Sequence, residues 1–153
     1  MSASDSRAMR GELWTNTEIR VRYAETDAMG VAHHASYIVW LELGRSDLLR
    51  AAGTPYPEIE ARGYFVMLAS LNVRYLGAAR YDDLVLLHTR LTAVRSRQVQ
   101  FAYELRLRSD NAVLLTAESI HVIVARETNR PARLPADLIA RLSGDQAERG
   151  RDG

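Results

Sequence analysis

The chain has 153 residues, enough for one domain with a sizeable core, and its 47% apolar and 25% charged content is ordinary for a soluble globular protein. A formal net charge of +1 supplies no global field to recruit nucleic acid or an anionic membrane. Cysteine is absent, which excludes disulfides, thiolate catalysis and cysteine-ligated metals.

Residues 1–14 read as a flexible polar tail without the apolar h-region of a signal peptide. No later apolar run is long enough to span a bilayer, so the expected location is the cytoplasm with no membrane insertion. A single domain is expected over residues 15–142, followed by a second polar, glycine-bearing tail at 143–153.

The first strand is predicted over Thr17–Tyr23, where Thr17, Ile19, Val21 and Tyr23 alternate with Glu18, Arg20 and Arg22. Ala28-Met29-Gly30 breaks that pattern. From Ser36 to Ala52 the period lengthens: Tyr37, Ile38, Leu41, Gly44, Leu48 and Ala52 fall at helical steps. Gly53 and Pro55 end this helix, and residues 56–63 form a loop or short helical turn. Four more strands are predicted at Tyr64–Leu76, Leu84–Val94, Gln98–Arg108 and Ala112–Ala125, with Ser109-Asp110-Asn111 a turn. A short helix at 135–142 starts on a proline. One long helix on a mainly antiparallel five-stranded sheet is an α+β design.

The loop between the first strand and the long helix holds an acid, a glycine and two adjacent histidines: Asp27, Gly30, His33 and His34. A carboxylate beside a helix N-terminus suits attack on a carbonyl, because the N–H groups and dipole there hold a developing oxyanion. Asp27 alone reads equally as a turn or capping residue, and Tyr23 as a core tyrosine. Metal binding is not expected: His33 and His34 lack the i, i+4 spacing of a helical ligand pair, and His88 and His121 stand isolated in strand patterns. No Gly-x-Ser-x-Gly elbow, Walker motif or dinucleotide glycine motif is present.

Tyr23, Thr26-Asp27, Gly30 and His33-His34 together resemble the signature of the 4-hydroxybenzoyl-CoA thioesterase family, in particular its bacterial branch of short acyl-CoA thioesterases associated with the Tol–Pal system. Tyr81-Asp82-Asp83 and Leu134-Pro135-Ala136-Asp137 extend the resemblance across residues 17–142. It implies a hotdog fold, a curved sheet wrapped around one central helix, and an acyl-CoA thioesterase that needs no metal or cofactor. It assigns Asp27 as nucleophile or general base. The His34 backbone N–H would polarise the thioester carbonyl, with the His34 imidazole and Tyr23 also in the site. His33 occupies a position that the family often fills with Tyr or Trp. Arg95 and Arg97, at the turn after the third strand, would meet the CoA phosphates, for which guanidinium groups are suited; otherwise they are ordinary solvated turn charges. Tyr37, Trp40 and Met67 either line an acyl pocket or belong to the core. The family works as homodimers, often paired into homotetramers, with active sites at the dimer interface. A non-catalytic acyl-CoA-binding protein and an enoyl-thioester hydratase or dehydratase stay open as alternatives.

Overall fold

Alternation of apolar and polar residues builds the strands of the computed structural model, which describes residues 12–144. The chain runs β1 (Trp14–Arg20), α1 (His34–Ala51), α2 (Tyr56–Ala61), β2 (Tyr64–Tyr75), β3 (Leu84–Val94), β4 (Gln98–Leu107), β5 (Val113–Ala125) and α3 (Ala136–Leu142). The five strands form one sheet in the order β1-β3-β4-β5-β2, every pairing antiparallel. Consecutive β2 and β3 are therefore not neighbours: β2 crosses to the far edge and pairs with β5. Register shifts at Leu68/Ser70, Leu91/Ala93 and Leu105/Arg106 are irregularities that help a sheet coil, here around α1. The architecture is the expected α+β arrangement.

α1 lies on this sheet through Tyr37, Trp40, Leu41, Gly44, Leu48 and Leu49. Gly44 is the point of closest approach. A Cβ there would run into the Thr89 hydroxyl and come within 2.7 Å of Leu87 Cδ2, so the helix reaches β3 because this residue has no side chain. Opposite it, β4 presents Val99, Phe101, Tyr103 and Leu105, all buried, on the predicted face. Gly53, at φ +80°, turns the chain out of α1 in the left-handed conformation that glycine adopts without strain.

Several boundaries differ from the sequence reading. β1 begins at Trp14 and stops at Arg20, so Tyr23 is not on the strand: it starts a 3-10 turn and is 77% exposed, which removes the core-tyrosine reading for the isolated chain. The strand stops because Val21 exchanges hydrogen bonds with Asp82 and Asp83, fastening the end of β1 to the Tyr81-Asp82-Asp83 turn. α1 begins at His34 because the His33 imidazole caps it, accepting from the Ala35 N–H at 3.1 Å. Ile38 is 38% exposed while Trp40 is buried, a rotation of the helical face by a fraction of a turn. The expected tails lie for the most part outside the described residues, although the described Glu12, Leu13 and Trp14 already belong to the folded edge: Arg90 pairs with Glu12, and the Leu91 N–H donates to the Leu13 carbonyl. Among the described residues no helix is long and apolar enough to cross a membrane.

Candidate active site

The loop that follows β1 is pinned from inside by Glu25. Its carboxylate accepts the Arg22 N–H at 2.8 Å and the Trp40 indole N–H at 2.6 Å, with the Arg22 guanidinium at 3.3 Å. Burial alone would raise its pKa, but these donors outweigh it and hold the carboxyl below its ordinary value. The Glu25 carbonyl then accepts both the His33 N–H at 2.8 Å and the Ser36 hydroxyl at 2.9 Å. One residue thereby ties the 3-10 turn to the start of α1. Sequence reading gave Glu25 no role. Its signal was an acid three residues after an arginine, beside a tryptophan whose indole N–H needs a buried acceptor.

Between these ties the chain makes a small loop closed by the Thr26–Ala32 bridge. The Asp27 N–H donates to the Val31 carbonyl, and the Gly30 N–H to the Asp27 carbonyl. Gly30 sits at φ +79°, where a side chain would be strained, which accounts for glycine in the motif. Asp27 is exposed, and its Oδ1 accepts the Met29 N–H at 2.8 Å, the local turn bond expected of a capping aspartate. Its other oxygen makes no hydrogen bond among the described residues. His34 leaves the other side of the same bridge. Of the first N–H groups of α1, Ala35 is capped by His33 and Ser36 donates to the His33 carbonyl, whereas the His34 N–H has no hydrogen bond among the described residues. The loop thus brings an open carboxylate oxygen and an open helix-terminal N–H to the same end of the fold. The Tyr75 hydroxyl donates to the His34 carbonyl at 2.9 Å, bracing that end from β2.

The other predicted site residues are distributed unevenly. Tyr23 stands immediately before the loop and packs edge-on against Tyr81. The His33 and His34 rings lie 4.2 Å apart. Tyr37 and Trp40 are core residues, each using its polar atom internally: the Tyr37 hydroxyl accepts the Ala79 N–H and the Trp40 indole reaches Glu25. Met67 is half exposed on β2 and borders a cleft. Arg95 and Arg97 sit exposed at the β3–β4 turn. β1 ends against the start of β3, where the Asp27 loop departs, and the turn lies beyond the other end of that strand, roughly 35 Å away at ordinary strand rise. One chain therefore does not bring Arg95 or Arg97 to Asp27.

A second polar group lies deeper. His121 and Ser119 occupy the core-facing row of β5, both 1% exposed. Burial, helped by the Arg45 cation, pushes the His121 imidazole down to about 4. The unfolded chain then binds a proton near pH 6.5 that the folded chain refuses. The stability this provides is complete above that value and is lost as pH falls through about 4. The full effect is about 3 kcal/mol, and His121→Leu is expected to remove this part of the slope in melts taken from pH 7 to pH 4. Equal slopes in both proteins would contradict it.

Residues 21–142 match the model of the thioesterase-like superfamily. The acyl-CoA thioester hydrolase YbgC of Escherichia coli O157:H7 is 30% identical over 122 residues, covering 80% of this chain and 90% of that one. A DHNA-CoA thioesterase from Staphylococcus aureus superposes with a TM-score of 0.81 at 28% identity, over 92% of this chain and 95% of that one. A Thermus thermophilus protein, TT1821, described as hypothetical, gives a TM-score of 0.79 at 40% identity, over 84% and 97%.

Proposed function

Because the chain belongs to the thioesterase-like superfamily, we propose that it is an acyl-CoA thioesterase, with Asp27 as nucleophile or general base and the His34 backbone N–H as oxyanion donor. The observation that carries the reading is the pairing, across the Thr26–Ala32 bridge, of a carboxylate with one unused oxygen and the open first N–H of α1. A thioester carbonyl seated on that N–H develops negative oxygen as its carbon is attacked, where the N–H and helix dipole stabilise it. Asp27 either attacks directly, giving an acyl anhydride that water then cleaves, or takes a proton from the attacking water. In both routes the C–S bond breaks, CoA leaves as thiolate and is protonated, and the acyl group departs as the free acid. Similarity to YbgC, named an acyl-CoA thioester hydrolase, supports the substrate class. In this reading Tyr23, which stands just before the Asp27 loop, and the His34 imidazole also contact the substrate.

The working unit is a homodimer or homotetramer. Two features support this: β2 is an open edge carrying exposed Met67 and Leu68, and α1 exposes Ile38, Val39 and Leu43. Assembly also accounts for Arg95 and Arg97, whose guanidinium groups make no hydrogen bond or ion pair among the described residues and reach a CoA phosphate at Asp27 only from another copy. Light scattering on dilute protein is expected to give at least twice the 17.2 kDa chain mass; a monomer would contradict it.

Crotonyl-CoA tests the chemistry itself. A hydrolase releases thiol and leaves the enoyl absorbance to fall only with the thioester; a hydratase removes that absorbance with no thiol; a binding protein does neither.

A further inference from the structure

Three polar side chains sit where this fold otherwise places hydrocarbon. The core-facing row of β5 runs Leu115, Ala117, Ser119, His121, Ile123, and α1 adds Arg45 beside the close-packed Gly44. They form a chain through β4. Arg45 Nη1 donates to the Tyr103 hydroxyl at 3.1 Å, that hydroxyl lies 2.6 Å from Ser119 Oγ, and Ser119 Oγ lies 2.9 Å from His121 Nε2. Guanidinium only donates, so the Tyr103 hydroxyl accepts from Arg45 and keeps its own proton to give. With that proton given to Ser119, Ser119 donates to His121 Nε2 and the neutral imidazole carries its own on Nδ1. Among the described residues, His121 Nδ1 and Arg45 Nε are buried without a hydrogen-bond partner, and no carboxylate lies within ion-pair distance of Arg45. Each end of the network thus holds a buried nitrogen without a hydrogen bond, although Arg45 also interacts with the Tyr56 hydroxyl; leaving such groups unmet is costly, and an added molecule can meet them.

Both end residues line one cleft, with the two unpaired nitrogens themselves closed to solvent beneath its surface. Arg45 and His121 line a space of about 480 Å³ together with Tyr56 and the apolar β2 residues around Met67, while the exposed Glu42 and Glu60 also border it. That volume is in the range of small-molecule sites. Arg45 lies 11 residues beyond His34, about 16 Å along α1, so occupancy here is measurable apart from chemistry at Asp27.

We propose that this cleft binds a small organic ligand with an apolar body and a hydrogen-bond-accepting oxygen, a carboxylate or a hydroxyl, received by Arg45 and His121. Taken with the thioesterase reading, on which this one step rests, the ligand is the oxygen-bearing end of an acyl group or the acid released from it.

Calorimetric titration of the whole protein with hexanoate, 1-hexanol and hexylamine, which share one apolar body, tests it without turnover. Hexanoate or hexanol is expected to bind, the stronger of the two identifying the oxygen recognised, and hexylamine, which offers only donors at neutral pH, is expected not to. Arg45→Met and His121→Leu are each expected to weaken that binding roughly tenfold or more. A merely structural His121 predicts a less stable His121→Leu protein with unchanged binding; the ligand role predicts lost binding at a temperature where the variant is fully folded, whatever its melting temperature, since leucine removes both the unpaired Nδ1 and the Nε2 bonded to Ser119. Absence of binding by both oxygen probes, equal binding of hexylamine, or binding unchanged in both variants would overturn the proposal. Thiol release from acyl-CoA is measured separately and does not require these probes to bind, so failure here is distinguishable from failure of the hydrolase reading.

Discussion

Asp27→Asn is expected to reduce thioester turnover by at least about 100-fold, the scale of losing a catalytic acid, base or nucleophile, with the fold unchanged. The substitution separates the two roles open to this residue. As a turn residue, Asp27 offers one oxygen to the Met29 N–H, and asparagine keeps that acceptor. Backbone bonds to Val31 and Gly30, and the Thr26–Ala32 bridge, do not involve the side chain. What is lost is the charge on the second oxygen, which no described residue uses. A capping role therefore predicts near-normal kcat, and a chemical role predicts its collapse with circular dichroism and melting temperature preserved. KM is expected to change little, because in the proposed mechanism the thioester docks on the His34 N–H, which the substitution leaves in place.

Glu25→Ala is expected to cost both stability and rate. The carboxylate is 9% exposed and holds the Trp40 indole and the Arg22 backbone at once. Its removal leaves the indole N–H buried without a partner, at about 2–4 kcal/mol in a denaturant titration. It also loosens the 3-10 turn that carries the Asp27 loop, so kcat falls without any change in the reacting groups. Glu25→Gln keeps one acceptor and is expected to fall between the two. A double-mutant cycle isolates the cause: Trp40→Phe should cost much less in the Glu25→Ala background than in the wild type. Additive losses would show that the indole–carboxylate bond is not what holds the loop. Because hydrogen bonds depress the Glu25 pKa, its contribution is complete above the ordinary glutamate value and disappears as pH falls through the lower native one.

The sequence carried the fold well because both of its periods are strong. The alternation of Val99, Phe101, Tyr103 and Leu105, and the helical spacing of Tyr37, Leu41, Gly44 and Leu48, are buried as expected. Strand order was less legible: β2 and β3 are consecutive, and only long-range pairing sends β2 to β5 at the far edge. The end of β1 was misplaced because alternation runs on through Tyr23, whereas Val21 is captured by the Asp82–Asp83 turn, a contact about sixty residues away in sequence. Asp27, Gly30, His33 and His34 were legible because their loop is local. Glu25, Arg45, Ser119 and His121 were not, since their partners come from different elements. His121 reads as an isolated histidine until β4, β5 and α1 bring Tyr103, Ser119 and Arg45 around it. The available signal was two polar residues at core-facing positions of an otherwise apolar strand.

The most direct test of the hydrolase mechanism is release of free CoA thiol, followed with a chromogenic disulfide over short, long and aromatic acyl-CoAs, with wild-type and Asp27→Asn protein side by side. Thiol released by the wild type from at least one class, and abolished in the variant, is the predicted result. Equal release by both proteins, or none from any thioester, would contradict it.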